Sequence, residues 1–434
     1  MSTTIIRNGR VIDPANKRDE IADLYIAGER IAGSKSEARE KFTRRGEKSD
    51  VEEIDAKGLI VAPGLIDMHV HLREPGFSHK ETIESGARAA AAGGFTTIVC
   101  MPNTSPAADN PSTIAWIKDR AAQVACVNVL PAGAISKSLV GEELAPIGSL
   151  AKAGIVAITD DGHCIQNHEI MRRAVEYARM VGVPVLDHCQ DYNLVGNGVA
   201  HEGYWSTLLG LPGWPAAGEE AMVMRNVLLA ELCDHPIHCQ HLTTAGSVGL
   251  LREARRRGAK ISGEVCPHHI ALTYEAIQNF DTNYKMNPPL RSQTDVDALL
   301  DGIADGTLSI LCSDHAPHAD FEKEVEFDVA PFGIIGLETE LGLFIDLLVH
   351  KHAKIDIARL IEMYTIEPAR LLKLDAGTLS PGARADVTLI DPALKWTVSI
   401  DQFQSVSRNS PFDGWKLKGR AVRTIVGGKT AWKL

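Results

Sequence analysis

A chain of 434 residues is too long for one small hydrophobic core and calls for a large domain, alone or with an accessory one. Its 44% hydrophobic and 23% charged residues are the proportions of an ordinary soluble globular protein. A formal net charge of -11 argues against a nucleic-acid or anionic-membrane surface, because both favour a basic stripe. The one basic run, Arg252–Arg257, reads as a solvated helix end, with cations near the last carbonyls. Eight scattered cysteines without a Cys-x-x-Cys pair suit buried thiols in a reducing compartment. With no signal peptide and no long apolar segment, the expected location is the cytoplasm.

In chain order, residues 3–61 hold short β-type runs broken by turns, with Asn8-Gly9 expected as a hairpin turn. Residues 378–434 repeat that character, with Gly427-Gly428 as a second hairpin dipeptide. The two ends are expected to combine into one small β-sandwich domain, from residues 1–61 and 371–434. Between them, residues 62–370 alternate strand and helix. Eight strands are predicted: Leu65–His71, Phe95–Met101, Val127–Pro131, Gly154–Thr159, Val183–His188, Ile237–Leu242, Ala259–Val265 and Leu308–Asp314. Helical patterns such as HKETIESGARAAAAGG and NHEIMRRAVEYARMVG separate them. Eight such units predict an α/β fold with a (β/α)8 TIM-like barrel, whose chemistry gathers at the C-terminal strand ends. An open doubly wound sheet is disfavoured, since no Gly-x-Gly-x-x-Gly follows a strand.

The polar residues with chemical potential fall where those strands stop. His69 and His71 lie at i and i+2 of the first strand and so share a face, a ready-made pair of metal ligands. The fourth strand ends in Thr159-Asp160-Asp161-Gly162, which could also be a plain turn. His188 closes the fifth, His241 follows the sixth, and Asp314 follows the apolar ILCS run of the eighth, where a carboxylate needs a partner or a metal. Four histidines and two or three aspartates at one barrel mouth form a divalent-metal set that suits zinc, with enough ligands for two ions. His163, His168, His201, His235, His238, His350 and His352 read as surface or structural residues, and His268-His269 as structural support.

With these residues in place, the chain resembles the dihydroorotases of the bacterial class I type, within the amidohydrolase superfamily. The strings that carry the resemblance are GLIDMHVHLREPG, GGFTTIVCMPNTSP, ITDDG, DHCQ, HEG, GEVCPHH, KMNPPLR, SDHAPH, APFGIIGLE and SPFDGWKLKGRAVRTIVGGK, in the family's order over nearly the whole chain. The resemblance implies two zinc ions per subunit. His69 and His71 would hold the more buried one with Asp314, and His188 and His241 the other. A carboxylate would bridge them, assigned to Asp161 rather than Asp160, and a hydroxide would span the pair. It further implies substrate binding by Arg73, Asn103, Asn287, His318 and the Phe332-Gly333 backbone.

The implied reaction is the reversible cyclisation of N-carbamoyl-L-aspartate to L-dihydroorotate and water in pyrimidine biosynthesis, with Asp314 as proton shuttle. Arg73 offers a planar fork for the substrate carboxylate. Gln190 stands where relatives often have glutamate, Thr243 where serine is common, and Cys312 where a small hydroxyl residue precedes SDHAPH. These departures remove no expected ligand. The rival readings are a related cyclic amidase, such as a hydantoinase or allantoinase, and an inactive homologue serving as a scaffold for aspartate transcarbamoylase. The cyclic amidases generally carry a lysine at the bridging position. A homodimer is expected, and the acidic segment Ala319–Pro331 is a candidate lid.

Overall fold

The chain begins as a strand whose own sequence bends it. In the computed structural model, which describes residues 3–34, 36–37 and 51–434, strand β1 (Thr3–Asp13) runs unbroken through Asn8-Gly9. Those residues form a bulge, not the expected hairpin turn: pairing with β2 (Arg18–Ala27) shifts register between Ile6 and Gly9, and Asn8 takes φ 61°. The reason is steric. A Cβ on Gly9 would lie 2.4 Å from the Val61 side chain, so glycine is what lets a neighbouring strand approach there. On either side of the bulge β1 takes different parallel partners, β4 (Val51–Asp55) along residues 3–7 and β5 (Ile60–Pro63) at residues 10–11. A short strand β3 (Arg30–Ala32) edges β2.

Gly64 joins this sheet to the barrel with no room for a side chain, since a Cβ would fall 2.0 Å from Thr96 Oγ1. Beyond it run β6 (Leu65–Val70), β7 (Phe95–Cys100), β8 (Asn128–Pro131), β9 (Val185–Asp187), β10 (Ile237–Cys239), β11 (Ile261–Val265) and β12 (Ile310–Leu311). They pair in parallel within two sheets, β6-β7-β8 and β9-β10-β11-β12. The expected fourth strand, 154–159, contributes only Ile158, which bridges Gly133 and Val185; a Val70–His315 bridge closes the ring. Most strands are shorter than their apolar runs predict. Their last residues leave the ladder and turn side chains into the mouth.

Helices α1 (Ile83–Gly93), α2 (Pro111–Val124), α3 (Ile147–Ala153), α4 (His168–Val181), α5 (Ala217–Cys233), α6 (Ala245–Arg256), α7 (Gln293–Ala304) and α8 (Ile357–Tyr364) occupy the connections around the ring. Their starts are specified locally. Thr82 and Ser85 form a reciprocal cap on α1, and Asn167 accepts from Glu169 N and Ile170 N at the start of α4. Along α4, Met171, Ala174, Val175 and Ala178 recur at helical spacing and are the buried stripe. Inside the ring, Met68, Val99, Leu186 and Ile310 pack together with Leu372. Each such side chain contributes on the order of 1.5–3 kcal/mol by leaving water. The barrel is therefore a filled core and offers chemistry only at its rim.

The chain returns to the first sheet through β13 (Val387–Thr397), β14 (Lys416–Val426) and β15 (Lys429–Lys433). Hydrogen bonding makes one eight-stranded sheet of both ends, in the order β15-β14-β13-β5-β1-β2-β3 with β4 on β1. Gly427 and Gly428, both at positive φ, turn β14 into β15 as expected. Residues 404–410 depart from this sheet and lie against the barrel mouth. The cysteines are unbridged and buried, except for half-buried Cys126. Among the described residues, no helix is long and apolar enough to cross a membrane.

Candidate active site

The six expected ligands meet at the C-terminal rim, and all are buried. Asp161 lies at their centre. Its Oδ2 is 3.2 Å from both His69 Nε2 and His71 Nε2, while its Oδ1 is 3.5 Å from both His188 Nδ1 and His241 Nε2. Asp314 Oδ1 faces the first pair, 3.4 Å from His69 Nε2 and 3.1 Å from His71 Nε2. One carboxylate thus divides its oxygens between two histidine pairs. His69 Nε2 and Asp161 Oδ1 are buried and accept or donate no hydrogen bond. A bare nitrogen and a bare carboxylate oxygen would each be costly there without a cation. His69, His71 and Asp314, and His69, Asp161 and His241, lie close enough together to hold a metal ion, and imidazole with carboxylate is a donor set that suits a divalent one.

Asp160 goes elsewhere. Its carboxylate accepts from Ile135 N at 2.7 Å, Ser136 N at 3.0 Å and the Ser136 hydroxyl, so it fastens the loop after β8. Burial pushes it up to about 6, with those bonds opposing. Burial works in the same direction on Asp161 and Asp314, but the surrounding histidines outweigh it and hold both well below the usual carboxylate range.

Behind the ligands, residues without an expected role orient the rings. Glu264 on β11 accepts from His69 Nδ1 at 2.6 Å and contacts His238 Nε2 at 3.1 Å. Gln240 Nε2 lies 3.3 Å from the same His69 nitrogen. Gln190, a departure from the family's glutamate, is 2.9 Å from His188 Nε2 and so leaves Nδ1 facing Asp161. Asn103, expected at the substrate, turns its Oδ1 to His71 Nδ1 at 2.9 Å. Asp67 accepts from His69 N and the Ser313 hydroxyl, tying the first strand to the eighth. Of these, Glu264 and Asp67 had a visible signal: a lone carboxylate inside an apolar strand run.

All the ligands but His69 border a cavity of about 170 Å³, lined also by Arg73, Asn103, Asn287, His318, Phe332 and Gly333. Arg73 donates from Nε to Pro317 O at 3.1 Å, and its Nη2 lies 3.5 Å from His318 Nε2, so the guanidinium lines the cavity beside that ring. Burial pushes it down to about 10, which still leaves it charged at neutral pH. His318 donates from Nε2 to Phe332 O at 2.8 Å, and its buried Nδ1 makes no hydrogen bond, with Glu322 Oε2 3.8 Å away. Burial and the neighbouring Arg73 lower its pKa, so the ring is neutral and Nδ1 is an acceptor. Asn287 Oδ1 is likewise buried and unpaired. The Phe332-Gly333 backbone is largely committed already: Gly333 N donates to Lys285 O, and Gly333 O accepts from Lys323 and Asn409. Phe332 N is the group of that strip left for a substrate. Arg73, His241 and Asp314 hold φ of 60°, 32° and 47°. Strain at three non-glycine residues that all border one cavity marks a site held by its surroundings.

The candidate lid carries a short helix, Asp320–Lys323, whose buried Lys323 donates to Pro331 O at 2.9 Å and Gly333 O at 3.1 Å. His268 and His269 are buried beside the site, and His269 Nε2 donates to Pro288 O at 2.9 Å.

Comparison with known proteins gives the family. Residues 58–247 match the Dihydro-orotase-like family and residues 216–431 the Amidohydrolase family. A dihydroorotase of Syntrophotalea carbinolica is 49% identical over 430 residues, covering 99% of each chain. One of Pelotomaculum thermopropionicum is 49% identical over 425 residues, 98% of this chain and 97% of its own. Among solved structures, the L-hydantoinase of Arthrobacter aurescens shares the fold with a TM-score of 0.86 at 24% identity, over 99% of this chain and 96% of that one. The dihydropyrimidinase of Brevibacillus agri has a TM-score of 0.84 at 25% identity, over 99% and 94%. By near-half identity along its whole length, the chain belongs to the dihydroorotase family of the amidohydrolases.

Proposed function

We propose that this chain catalyses the reversible closure of N-carbamoyl-L-aspartate to L-dihydroorotate and water, using two zinc ions, in pyrimidine biosynthesis. The observation that carries the reading is the Asp161 carboxylate, split between two histidine pairs at a cavity that also contains Arg73. His69, His71, Asp314 and Asp161 Oδ2 would hold one ion; His188, His241 and Asp161 Oδ1 the other. When bound, the zinc pair supplies Lewis acidity toward the ring carbonyl and a lowered pKa for water.

The chain's own residues do the rest. Arg73 grips the substrate carboxylate through its guanidinium. Neutral His318 accepts an N–H through Nδ1, and Phe332 N donates to a carbonyl, which together fix the ring in the cavity. Asn103 keeps His71 oriented while its amide nitrogen stays toward the substrate. Asp314, ionised, removes a proton from the attacking water and returns it to the departing ring nitrogen. In the closing direction Asp314 removes the carbamoyl proton first.

A zinc count on the purified chain, paired with a dihydroorotate ring-opening assay, tests the proposal. About two zincs and turnover are expected. Full occupancy without turnover would sink it and leave a hydantoinase-like amidase or an inactive scaffold. A homodimer in the cytoplasm, with or without aspartate transcarbamoylase, belongs to the same proposal. Sedimentation of the chain alone and with transcarbamoylase decides the assembly.

A further inference from the structure

Segment Gln404–Ser410 leaves the sheet formed by the chain ends and is fastened across the barrel mouth. Gln404 N and Ser405 N donate to Glu338 Oε1 at 2.7 and 3.2 Å. Val406 N donates to Glu81 Oε1 at 3.2 Å, and Ser407 Oγ to Lys80 O at 2.7 Å. Asn409, 4% exposed, then spends its whole amide on the loop that follows β12. Its Oδ1 accepts from His318 N at 3.2 Å, and its Nδ2 donates to Ala316 O at 3.1 Å and Gly333 O at 3.2 Å. One acceptor and two donors meet three backbone groups with nothing left over.

We propose that Asn409 is a positioning residue that fixes the spacing between His318 and the Phe332-Gly333 strip, and with it the wall of the cavity that holds the substrate ring. The inference rests on the function proposed above. Three features support it. All three partners of Asn409 are main-chain groups of the substrate wall, and none is a metal-ligand side chain. Gly333 O also accepts from Lys323 Nζ at 3.1 Å, so two donors from separate segments converge on this one carbonyl of the strip. Gly333 has φ 104°, and a Cβ there would lie 2.6 Å from the Ala316 side chain, so the strip rests directly on the segment Asn409 also holds. Aspartate could not donate to the two carbonyls, and alanine would leave His318 N and Ala316 O unpaired and Gly333 O with Lys323 alone.

The test uses the zinc-loaded full chain, comparing Asn409→Ala and Asn409→Asp with the parent. KM for dihydroorotate should rise by about tenfold or more, the scale of one lost buried hydrogen bond. The zinc count should stay unchanged and kcat within about threefold, since the reacting groups are untouched. An unchanged KM, or parallel loss of kcat and zinc, overturns the proposal. If neither variant folds, Lys323→Met loosens the same strip from the other side and should raise KM alike; an unmoved KM there overturns it equally. A parent that never opens dihydroorotate defeats the functional reading, whereas an active parent with insensitive variants defeats only this inference.

Discussion

The two halves of the site are built by different means. On the metal side, each ligand sits at a strand end, and His69, His71 and His188 are each held through the far ring nitrogen by Glu264, Asn103 and Gln190. Orientation there is set by side chains on or just beyond the strands of a filled barrel, which cannot shift singly. On the substrate side, Arg73, His318 and the Phe332-Gly333 strip lie on loops; the Arg73 side chain donates to Pro317 O, and main-chain groups of those loops are pinned by Lys323 and Asn409. The lesson is that ion binding here depends on ring angle, whereas substrate binding depends on the spacing of loops.

Substitutions should break the two halves differently. The largest effect is expected from Asp314→Ala, which removes the proton acceptor and should lower kcat by about 10²–10⁴-fold while most zinc is retained. Unchanged turnover would refute its proposed role. Next, Glu264→Gln should cost roughly 10–100-fold in zinc affinity, because His69 loses a charged partner; competition against a chelator reads this directly. Zinc affinity equal to the parent's would show that His69 needs no such brace. Arg73→Lys acts only on the other half. It keeps the charge but loses the fork, so KM should rise by about tenfold with the zinc count intact. Equal affinity for carboxylated substrate would contradict that geometry.

The smallest expected effect concerns stability. Burial pushes Lys323 down to about 7 from 10.5. Between those values the unfolded chain binds more protons than the folded one, so stability rises with pH across the window and is lowest below it. Lys323→Met should flatten the dependence of Tm on pH from about 7 to 10. A slope identical to the parent's would place the titration elsewhere.

Much of this was legible before folding. The His-x-His pair follows from strand alternation, and the ring of eight units from the spacing of apolar runs. Arg73 was legible through its nearness to His71 in the chain. The expected hairpin at Asn8-Gly9 was misplaced because the same dipeptide suits a bulge, and only the packing of Val61 against Gly9 selects between them. Asp160 and Asp161 are equivalent in sequence. They part because Ser136 and Ile135, on another loop, claim Asp160. Gln190 read as a mere departure, yet it holds His188.

What the sequence by itself determined is chemistry that lives within a few residues: strand faces, helix caps, and the donor types each strand end can present. Periodicity and local hydrogen bonding suffice for these. What only the tertiary structure decided is which oxygen faces which histidine, that Glu264 reaches a ring 195 residues away, and that an asparagine near the C-terminus braces the substrate wall. Such contacts depend on the closure of the barrel and the return of the chain across its mouth. No local pattern encodes either distance.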